Sequence, residues 1–394
     1  MNAEGKGYPA IRMNEFDGLF TGKPTQFAHN FLLEDFKKHQ LKENDILICR
    51  TNGNPNLVGK SALVMIDEPY VYESHLFKIQ PKQEIINSHT LATYLNCKYG
   101  KQEIFRYSMQ GNQSNFSLAK FKEMKIPKFS SALQKDIKIL ISSSFEKLQK
   151  SKEAYQAAQD LLLDHLGLKD FNLPAQAVNV KSFSDSFGRS GRLDAEFYQE
   201  KYEGYLKKIQ AYPYGCEPIR TACKLKDANY TPKDNQTYRY IELSNIGNLG
   251  EITGASLDLG CNLPSRARRK VSKNDVIVSS IEGSLASCAI VSEQHHQALC
   301  STGFYVVSSE KINSETLLIL FKSEPIQQLL KQGCSGTILT AINKDEFLNI
   351  PLPLVDANIQ TQIADLIRQS DRLRQKSQAL LEEAKRKVEQ AIEG

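Results

Sequence analysis

Two short apolar runs, each following a charged turn, share one pattern of hydrophobic and polar positions. LKENDILICRTNG (41–53) corresponds to VSKNDVIVSSIEG (271–283) at an offset of 230 residues. An uninterrupted stretch of apolar, often β-branched residues predicts a buried strand in each copy. A second apolar strand follows each of them, at 62–66 and at 289–291.

Two later stretches have the periodicity of long helices. Apolar or small residues recur at alternating steps of four and three from Ile137 to Leu162, and again from Ile363 to Val388. This heptad-like spacing, with several serine and alanine residues in the seam, predicts two helices that pack closely against each other. A helix of about 34 residues spans roughly 50 Å at about 1.5 Å per residue. We therefore expect a spacer and a contact surface.

Further matches occur in the same order along the chain. FSLAKFKEMKIP (116–127) aligns with TAINKDEFLNIP (340–351), and LQKSKEA (148–154) aligns with RQKSQAL (374–380). Several ordered matches at nearly constant offset indicate an internal duplication of one supersecondary unit.

The duplication predicts four segments. A first globular module at 1–132 precedes a helix at 133–166, and a second module at 167–355 precedes a helix at 356–394. The second module begins with a long lead segment (191–233) that has no counterpart in the first. Either the first module is incomplete, or its missing strands come from elsewhere.

Composition places the chain among ordinary globular proteins. Of 394 residues, 41% are hydrophobic, and no stretch approaches the roughly 18 to 20 apolar residues that cross a bilayer. The N-terminus has no apolar core of the signal-peptide kind. The eight cysteines form no CxxC pair and no histidine lies near them at zinc-ligand spacing. We expect a cytoplasmic protein with free thiols and neither a membrane nor a metal site.

Net charge gives only weak information about partners. The chain has 50 basic and 45 acidic residues, a formal charge of +5. Both predicted long helices contain equal numbers of acidic and basic residues. A helix that faces DNA should carry excess positive charge. The balanced helices therefore favour contacts with the partner helix and with protein subunits.

The sequence contains no convincing catalytic motif. Five residues separate Gly53 from the Gly-Lys-Ser at 59–61, whereas a phosphate-binding P-loop has four residues between its first glycine and this tripeptide. The equivalent positions 286–288 lack this tripeptide. The glycine-rich cofactor loop and Asn/Asp-Pro-Pro-aromatic tetrad of a methyltransferase are absent, and no histidine lies in a recognisable nucleophile motif. We predict a protein without catalytic residues or a cofactor of its own.

DNA reading needs cations for phosphates and amide or guanidinium groups for base edges. A basic run precedes the strand of the second module, although a solvated charge run would look the same. A polar loop follows the strand of the first module, although asparagine and glycine also form ordinary turns. A third loop, GNQSN (111–115), matches GCSGT (333–337) in the second module. The candidate residues are Arg50, Asn52, Asn54, Lys60, Asn112, Gln113, Asn115, Arg266, Arg268, Arg269, Lys270 and Thr337.

Taken together, these features resemble the specificity (S) subunit of type I restriction-modification systems. The resemblance rests on the duplicated Asn-Asp strand with its glycine-containing loop, and on the Gly336–Thr337 loop that runs into LNIPLPL (348–354). It rests also on RLDAEFYQEKYEGYLKKI (192–209) and on the helix QTQIADLIRQSDRLRQKSQALLEEAK (360–385). It covers essentially the whole chain.

The resemblance implies an α/β (α+β) fold. Two globular target-recognition modules would be joined by two long antiparallel helices that form a coiled-coil-like spacer, as a pseudo-twofold internal repeat. The chain would be a non-catalytic subunit that binds an asymmetric bipartite target in double-stranded DNA. It would dock methyltransferase (M) and endonuclease/translocase (R) subunits, which would carry S-adenosylmethionine and ATP with Mg. The weak net charge leaves one rival, a non-catalytic two-module protein-binding scaffold.

Overall fold

The structure, a computed structural model, describes residues 5–29, 33–67, 69–108, 114–171, 173, 178–336 and 340–394. The chain forms two compact units. Unit 1 contains Met1–Lys150 with Arg372–Gly394, and unit 2 contains Ser151–Asp371. Among the described helices, none is long and apolar enough to cross a membrane.

Unit 1 combines short strands with short helices. Its strands are β1 (Tyr8–Ile11), β2 (Phe16–Asp17), β3 (Phe20–Thr21), β4 (Gln26–Ala28), β5 (Ile46–Cys49), β6 (Thr51–Asn52), β7 (Ser61–Leu63), β8 (Val71–Tyr72), β9 (Leu76–Ile79) and β10 (Ser114–Asn115). Its helices are α1 (Leu33–His39), α2 (Ser88–Asn96), α3 (Lys98–Tyr107) and α4 (Leu118–Glu123). The long helix α5 (Ser131–His165) begins in unit 1 and ends in unit 2.

Unit 2 has the same kinds of element and a longer beginning. Its helices are α6 (Phe187–Ser190), α7 (Glu200–Gln210), α8 (Ile219–Ala222), α9 (Ser314–Lys322), α10 (Glu324–Gln332) and α11 (Lys344–Asn349), followed by the long α12 (Ala357–Glu393), which ends in unit 1. Its strands are β11 (Cys216–Pro218), β12 (Lys224–Leu225), β13 (Thr237–Ile241), β14 (Ser256–Leu259), β15 (Ala267–Lys270), β16 (Val276–Ser279), β17 (Cys288–Ile290), β18 (Leu299–Ser301), β19 (Phe304–Ser308), β20 (Cys334–Ser335), β21 (Ala341–Ile342) and β22 (Pro351–Pro353).

Strand pairing confirms the predicted duplicated α/β fold. The buried strand β5 lies between antiparallel β7 and β9, in the order β2-β3-β7-β5-β9. Its counterpart β16 lies between antiparallel β17 and β19, in the order β12-β19-β16-β17. A second sheet in unit 1, β4-β1-β8, matches β14-β13-β18-β15 in unit 2. In unit 1, β1 pairs antiparallel with β4 and parallel with β8. In unit 2, β13 pairs antiparallel with β14 and parallel with β18.

The charged turn before each buried strand has one conformation in both copies. Asn44 and Asn274 have left-handed backbones, with φ of 71° and 67°. The carbonyl oxygen of Asn44 accepts a hydrogen bond from the Ser88 hydroxyl at 2.6 Å, and Ser314 donates in the same way to Asn274 at 2.6 Å. Asparagine tolerates this backbone region better than most residues. The repeated asparagine is therefore a structural requirement of the turn.

Within each unit the long helices pack through the predicted seam of small residues. In unit 1 the Ser144 hydroxyl lies 2.8 Å from the Ser377 hydroxyl. In unit 2 the Ser151 hydroxyl lies 3.0 Å from that of Ser370. All four serines are buried. In unit 1, Lys387 and Asp136 form an ion pair at 3.3 Å, so the two segments run antiparallel there. Small side chains allow this close approach of two helix backbones.

A repeated hydrogen-bonded clamp ties each long helix to its unit. The side-chain oxygen of Gln134 accepts from the Asn87 amide at 2.9 Å, and that of Gln360 accepts from the Asn313 amide at 2.8 Å. Each asparagine also caps the helix that follows it. The clamp shows that positions 226 residues apart are equivalent in this part of the repeat.

The clamp corrects one expected alignment. Pairing 116–127 with 340–351 implies an offset of 224, but α4 and α11 are capped by the side chains of Ser117 and Asn343, which are 226 apart. The predicted register of this segment was therefore wrong by two residues. The shared Ile-Pro dipeptides were misleading, because the structure places Pro127 opposite Pro353 instead of Pro351.

The buried histidine of α2 makes the stability of unit 1 sensitive to pH. His89 is 4% exposed, and its Nδ1 has no hydrogen-bond partner among the described residues. Burial, with a smaller effect of Lys138, lowers its pKa to about 4. As the pH falls below about 6.5, the unfolded chain takes up this proton before the folded chain does. Stability is therefore lost in the window from about pH 6.5 down to about pH 4.

We expect the free energy of unfolding of unit 1 to fall by about 2 kcal/mol through His89 between pH 7 and pH 4.5. Urea unfolding at both pH values measures this, and the matched His89→Leu variant should lose that share of the pH dependence. The same slope in both proteins would contradict the assignment.

Candidate nucleic-acid interface

Two of the predicted polar loops of unit 1 form one site. Arg50 follows the buried strand β5, and the adjoining strand β6 pairs antiparallel with β10, so that Asn115 lies opposite Thr51. The backbone of Arg50 is fixed on both sides. Its amide donates to the His75 carbonyl at 2.8 Å, and its carbonyl accepts from the Phe116 amide at 2.7 Å. The structure thus brings Arg50, Asn52 and Asn115 together.

The asparagines of this loop stabilise its turn, because their side-chain oxygens accept hydrogen bonds from backbone amides. The side-chain oxygen of Asn52 accepts from the Asn54 amide at 2.8 Å, and that of Asn54 accepts from the Asn56 amide at 3.0 Å. Asn54 is exposed and Asn52 is half-buried. Turn formation therefore uses the side-chain oxygens. The NH2 groups are donors suited to acceptor atoms on base edges.

Lys60 and Asn115 lie deeper in the loop. Lys60 is half-buried, and burial is the main cause of its lowered pKa. The side-chain oxygen of Asn115 is buried without a hydrogen-bond partner among the described residues. A buried oxygen does not face a base edge, so this atom is not an acceptor for DNA in this structure. Lys60 is less suited to phosphate contact than the exposed Arg50.

The equivalent loop of unit 2 has the same backbone connections and different side chains. The Ser280 amide donates to the Gly303 carbonyl at 2.9 Å, as the Arg50 amide does to His75. Ser280 and Glu282 stand where unit 1 has Arg50 and Asn52. Here an open depression of about 650 Å³ is lined by Ile281, Glu282, Gly283, Lys331 and Thr340.

The four cations of the basic run in unit 2 have two kinds of surroundings. Two of them are hydrogen-bonded within the unit, and the other two are exposed. Arg268 donates to the Ser265 carbonyl at 2.9 Å and to the Thr231 hydroxyl at 3.3 Å. Arg269 donates to the side-chain oxygen of Asn229 at 3.0 Å and to the carbonyl of Asp227. These two arginines hold the segment before β13 against β15.

Arg266 and Lys270 keep their charged groups toward solvent. The Arg266 side chain is 62% exposed, with Glu242 3.9 Å away. Lys270 is exposed, and its Nζ lies 5.1 Å from the centre of the Tyr230 ring. Exposed cations at the two ends of one strand, one of them beside an aromatic ring, are suited to contacting a phosphate backbone. These two residues form the cationic part of the candidate site in unit 2.

Three predicted residues, Asn112, Gln113 and Thr337, lie outside the described residues. In the sequence, Asn112 and Gln113 precede β10 and Thr337 precedes β21; these strands pair with β6 and β20 respectively.

The structure also indicates residues that the sequence reasoning missed. In unit 1 the helix α1 packs on β8, whereas in unit 2 the basic strand β15 pairs with the equivalent β18. Lys37 and Lys38 of α1 are exposed. Arg239 of β13 is exposed between buried Tyr238 and Tyr240. The alternating pattern of TYRYI and the Lys-Lys pair were the available signals.

These features define the class of protein. It is a duplicated chain, and its two units carry different hydrogen-bonding side chains on loops with the same backbone connections. Comparison with known proteins supplies the family. The family model for the type I restriction modification DNA specificity domain matches residues 2–154 and 219–386. The chain belongs to this family and carries its domain twice, as a DNA sequence-specificity subunit with two recognition domains. The predicted family and fold class are thereby confirmed.

The solved structures to which the chain is similar are distant in sequence. The S subunit of a type I restriction-modification system from M. genitalium is 12% identical, with a TM-score of 0.41, over 97% of this chain and 92% of that one. The HsdS subunit from Thermoanaerobacter tengcongensis is 14% identical, with a TM-score of 0.29, over 96% and 90% of the two chains. No curated protein sequence matches the chain significantly. The family assignment therefore rests on the two domain matches.

Proposed function

We propose that each unit reads one half of an asymmetric, gapped target in double-stranded DNA. One observation carries this proposal: equivalent loops on the same backbone hold Arg50 and Asn52 in unit 1 and Ser280 and Glu282 in unit 2. Arginine and asparagine donate to purine acceptors, whereas glutamate accepts from the cytosine amino group. Two sites with such different groups would select different bases.

In this proposal the candidate residues have separate roles. Arg50, Asn52 and Asn54 contact base edges from unit 1, and Arg266 and Lys270 contact phosphates from unit 2. Arg268 and Arg269 position the basic strand. The roles of Lys60, Asn112, Gln113, Asn115 and Thr337 remain predictions.

We also propose that the chain has no catalysis of its own and acts in the cytoplasm with methyltransferase (M) subunits. Endonuclease/translocase (R) subunits would join that complex, and S-adenosylmethionine and ATP with Mg would bind to these partners. The long helices support protein docking, because their outer faces carry balanced charge and apolar residues such as Ile139, which is 67% exposed. A face of this kind suits a protein partner better than DNA.

If the helices fix the distance between the half-sites, lengthening both should widen the gap in the target. Seven residues inserted after Lys150 and seven after Asp371 preserve the heptad register of each helix. They add about 10 Å to each helix, or about three base pairs at about 3.4 Å per step. Mapping of methylated sites by the complex with M subunits measures the gap.

An insertion in one helix alone is the control, because it puts the two seams out of register. That variant should lose target methylation. An unaltered gap in the double-insertion variant would contradict the proposed role of the helices.

A further inference from the structure

The loop that follows β16 in unit 2 holds Glu282 on a fixed backbone. The Glu282 amide donates to the Thr340 carbonyl at 3.0 Å. The preceding residue, Ile281, forms an antiparallel bridge with Ala341. The position of Glu282 is therefore set before any ligand binds, which reduces the entropy lost when its side chain makes a contact.

The turn that contains Glu282 is stabilised by other side chains. The Ser279 and Ser284 hydroxyls lie 3.0 Å apart, and the Ser279 oxygen also accepts from the Ile281 amide at 3.1 Å. In unit 1 the side-chain oxygen of Asn52 accepts a hydrogen bond within its own turn. In unit 2 two serines stabilise the turn instead, so the carboxylate of Glu282 is not needed for it.

The carboxylate of Glu282 has no hydrogen bond or ion pair with any residue that the structure describes. The side chain is half-buried. Two cations on neighbouring segments are already paired with other acids. Lys331 lies 3.4 Å from Glu196, and Arg192 lies 2.6 Å from Asp194. Both oxygens of the Glu282 carboxylate are therefore available to donors on a ligand.

The open depression of about 650 Å³ around Glu282 contains groups of other kinds. Ile281 supplies an apolar surface, Thr340 a hydroxyl and Lys331 a cation. The side chain of Lys331 is 40% exposed. An ammonium group has three donors, so the contact with Glu196 leaves others for a ligand. The depression thus offers an acceptor and a donor to the same ligand.

A carboxylate discriminates among the four bases because it accepts hydrogen bonds and cannot donate them. In the major groove, cytosine presents only an amino donor. Adenine has an acceptor beside its amino group, and guanine and thymine present acceptors. An acceptor that faces a carboxylate is repelled, so Glu282 would favour cytosine by attraction and reject the other three bases by repulsion.

We propose that Glu282 selects a C·G base pair in the half-site of unit 2. Its carboxylate accepts from the cytosine amino group, and Lys331 donates to the paired guanine. This inference rests on the proposed function and names one base pair that unit 2 reads. In unit 1 the corresponding residues, Arg50 and Asn52, carry donors and suit purine acceptors instead.

Methylation mapped at base resolution, with the full-length chain in complex with M subunits, tests this proposal. Glu282→Gln introduces an amide, which pairs with adenine through both of its groups. We expect one C·G pair in one half of the target to become A·T, while every other position and the gap stay the same. Glu282→Ala should accept any base pair at that position. Glu310→Gln, a change at another exposed acid of unit 2, is the matched control and should keep the wild-type target.

Equilibrium binding to duplexes gives the size of the effect. Changing the C·G pair to any other pair should weaken binding by the wild-type complex by about tenfold or more. The same changes should have little effect on binding by the Glu282→Ala complex. Thermal unfolding should be the same in all variants, because the Glu282 side chain has no partner among the described residues.

The results that would overturn the role of Glu282 differ from those that would overturn the proposed function. The half-site of unit 2 is the one that stays the same when residues 1–128 are exchanged. If that half has no C·G pair, or if both Glu282 variants keep the wild-type target, Glu282 does not select a base. Loss of methylation on every sequence by both variants would also overturn its role. A wild-type complex whose binding depends on no sequence would contradict the proposed function itself.

Discussion

Replacing Arg266 and Lys270 together by alanine is expected to weaken binding of target duplex by about 100-fold near 0.1 M salt, because each removes a phosphate contact. Arg266 directly precedes the basic strand β15, Lys270 is its last residue, and both side chains are exposed. The slope of log affinity against log salt should fall by about 0.9 for each cation. Equilibrium binding of the complex with M subunits, measured at several salt concentrations, gives both quantities.

The control removes two exposed lysines elsewhere in unit 2, Lys207 and Lys224. It changes net charge equally and should leave the salt slope within error. Replacing Arg268 should act differently, since its guanidinium holds the Thr231 segment. That variant should unfold more easily in addition to binding less well. An unchanged salt slope in the Arg266/Lys270 variant would show that these two cations do not contact DNA phosphates.

Gln360→Ala is expected to lower the free energy of unfolding of unit 2 by about 3 to 4 kcal/mol, at about 1 kcal/mol or more for each lost hydrogen bond. The side chain accepts from the Asn313 amide and donates to the carbonyls of Lys311 and Val355 at 3.0 and 2.8 Å. Gln360 is only 9% exposed, so these partners would stay buried and unsatisfied. Urea unfolding followed by a unit 2 probe measures the loss.

Gln134→Ala is the matched control, because Gln134 makes the same three bonds in unit 1. It should destabilise unit 1 by a smaller amount, because Gln134 is only half-buried, and leave the unit 2 transition in place. A loss below about 1 kcal/mol in the Gln360 variant would show that the clamp does not tie the helix to its unit.

Periodicity predicted the parts of the fold that depend on local patterns. The seam residues from Ile137 to Leu162 are buried, including Ser144 and Ser151, because heptad spacing places them on one face of a helix. The buried strands were predicted for the same reason, since four consecutive apolar or β-branched residues fit a strand covered on both faces.

Which residues form the candidate site depends on contacts between segments far apart in the sequence, and local sequence patterns do not predict such contacts. Asn115 joins Arg50 only because β10 pairs with β6 across more than 60 residues of sequence. The run at 266–270 reads as four equivalent cations, but Arg268 and Arg269 are held by backbone and side-chain partners before β13. Sequence spacing does not show which cations are already bonded.

The register of the duplication was predicted wrongly for a related reason. Ile85 corresponds to Lys311, and Phe129 to Val355, only when the offset is 226. The apparent alignment of the two Ile-Pro dipeptides gave 224. Hydrogen bonds of the clamp were needed to set the register.

The most direct test of the central claim exchanges residues 1–128 for the equivalent segment of another family member. The complex of this hybrid with its M subunits is then used to map methylated DNA at base resolution. If each unit reads its own half, one half of the target should become that of the donor, while the other half and the gap stay the same. A target that is unchanged, or one that changes in both halves, would contradict two independent readers in one chain.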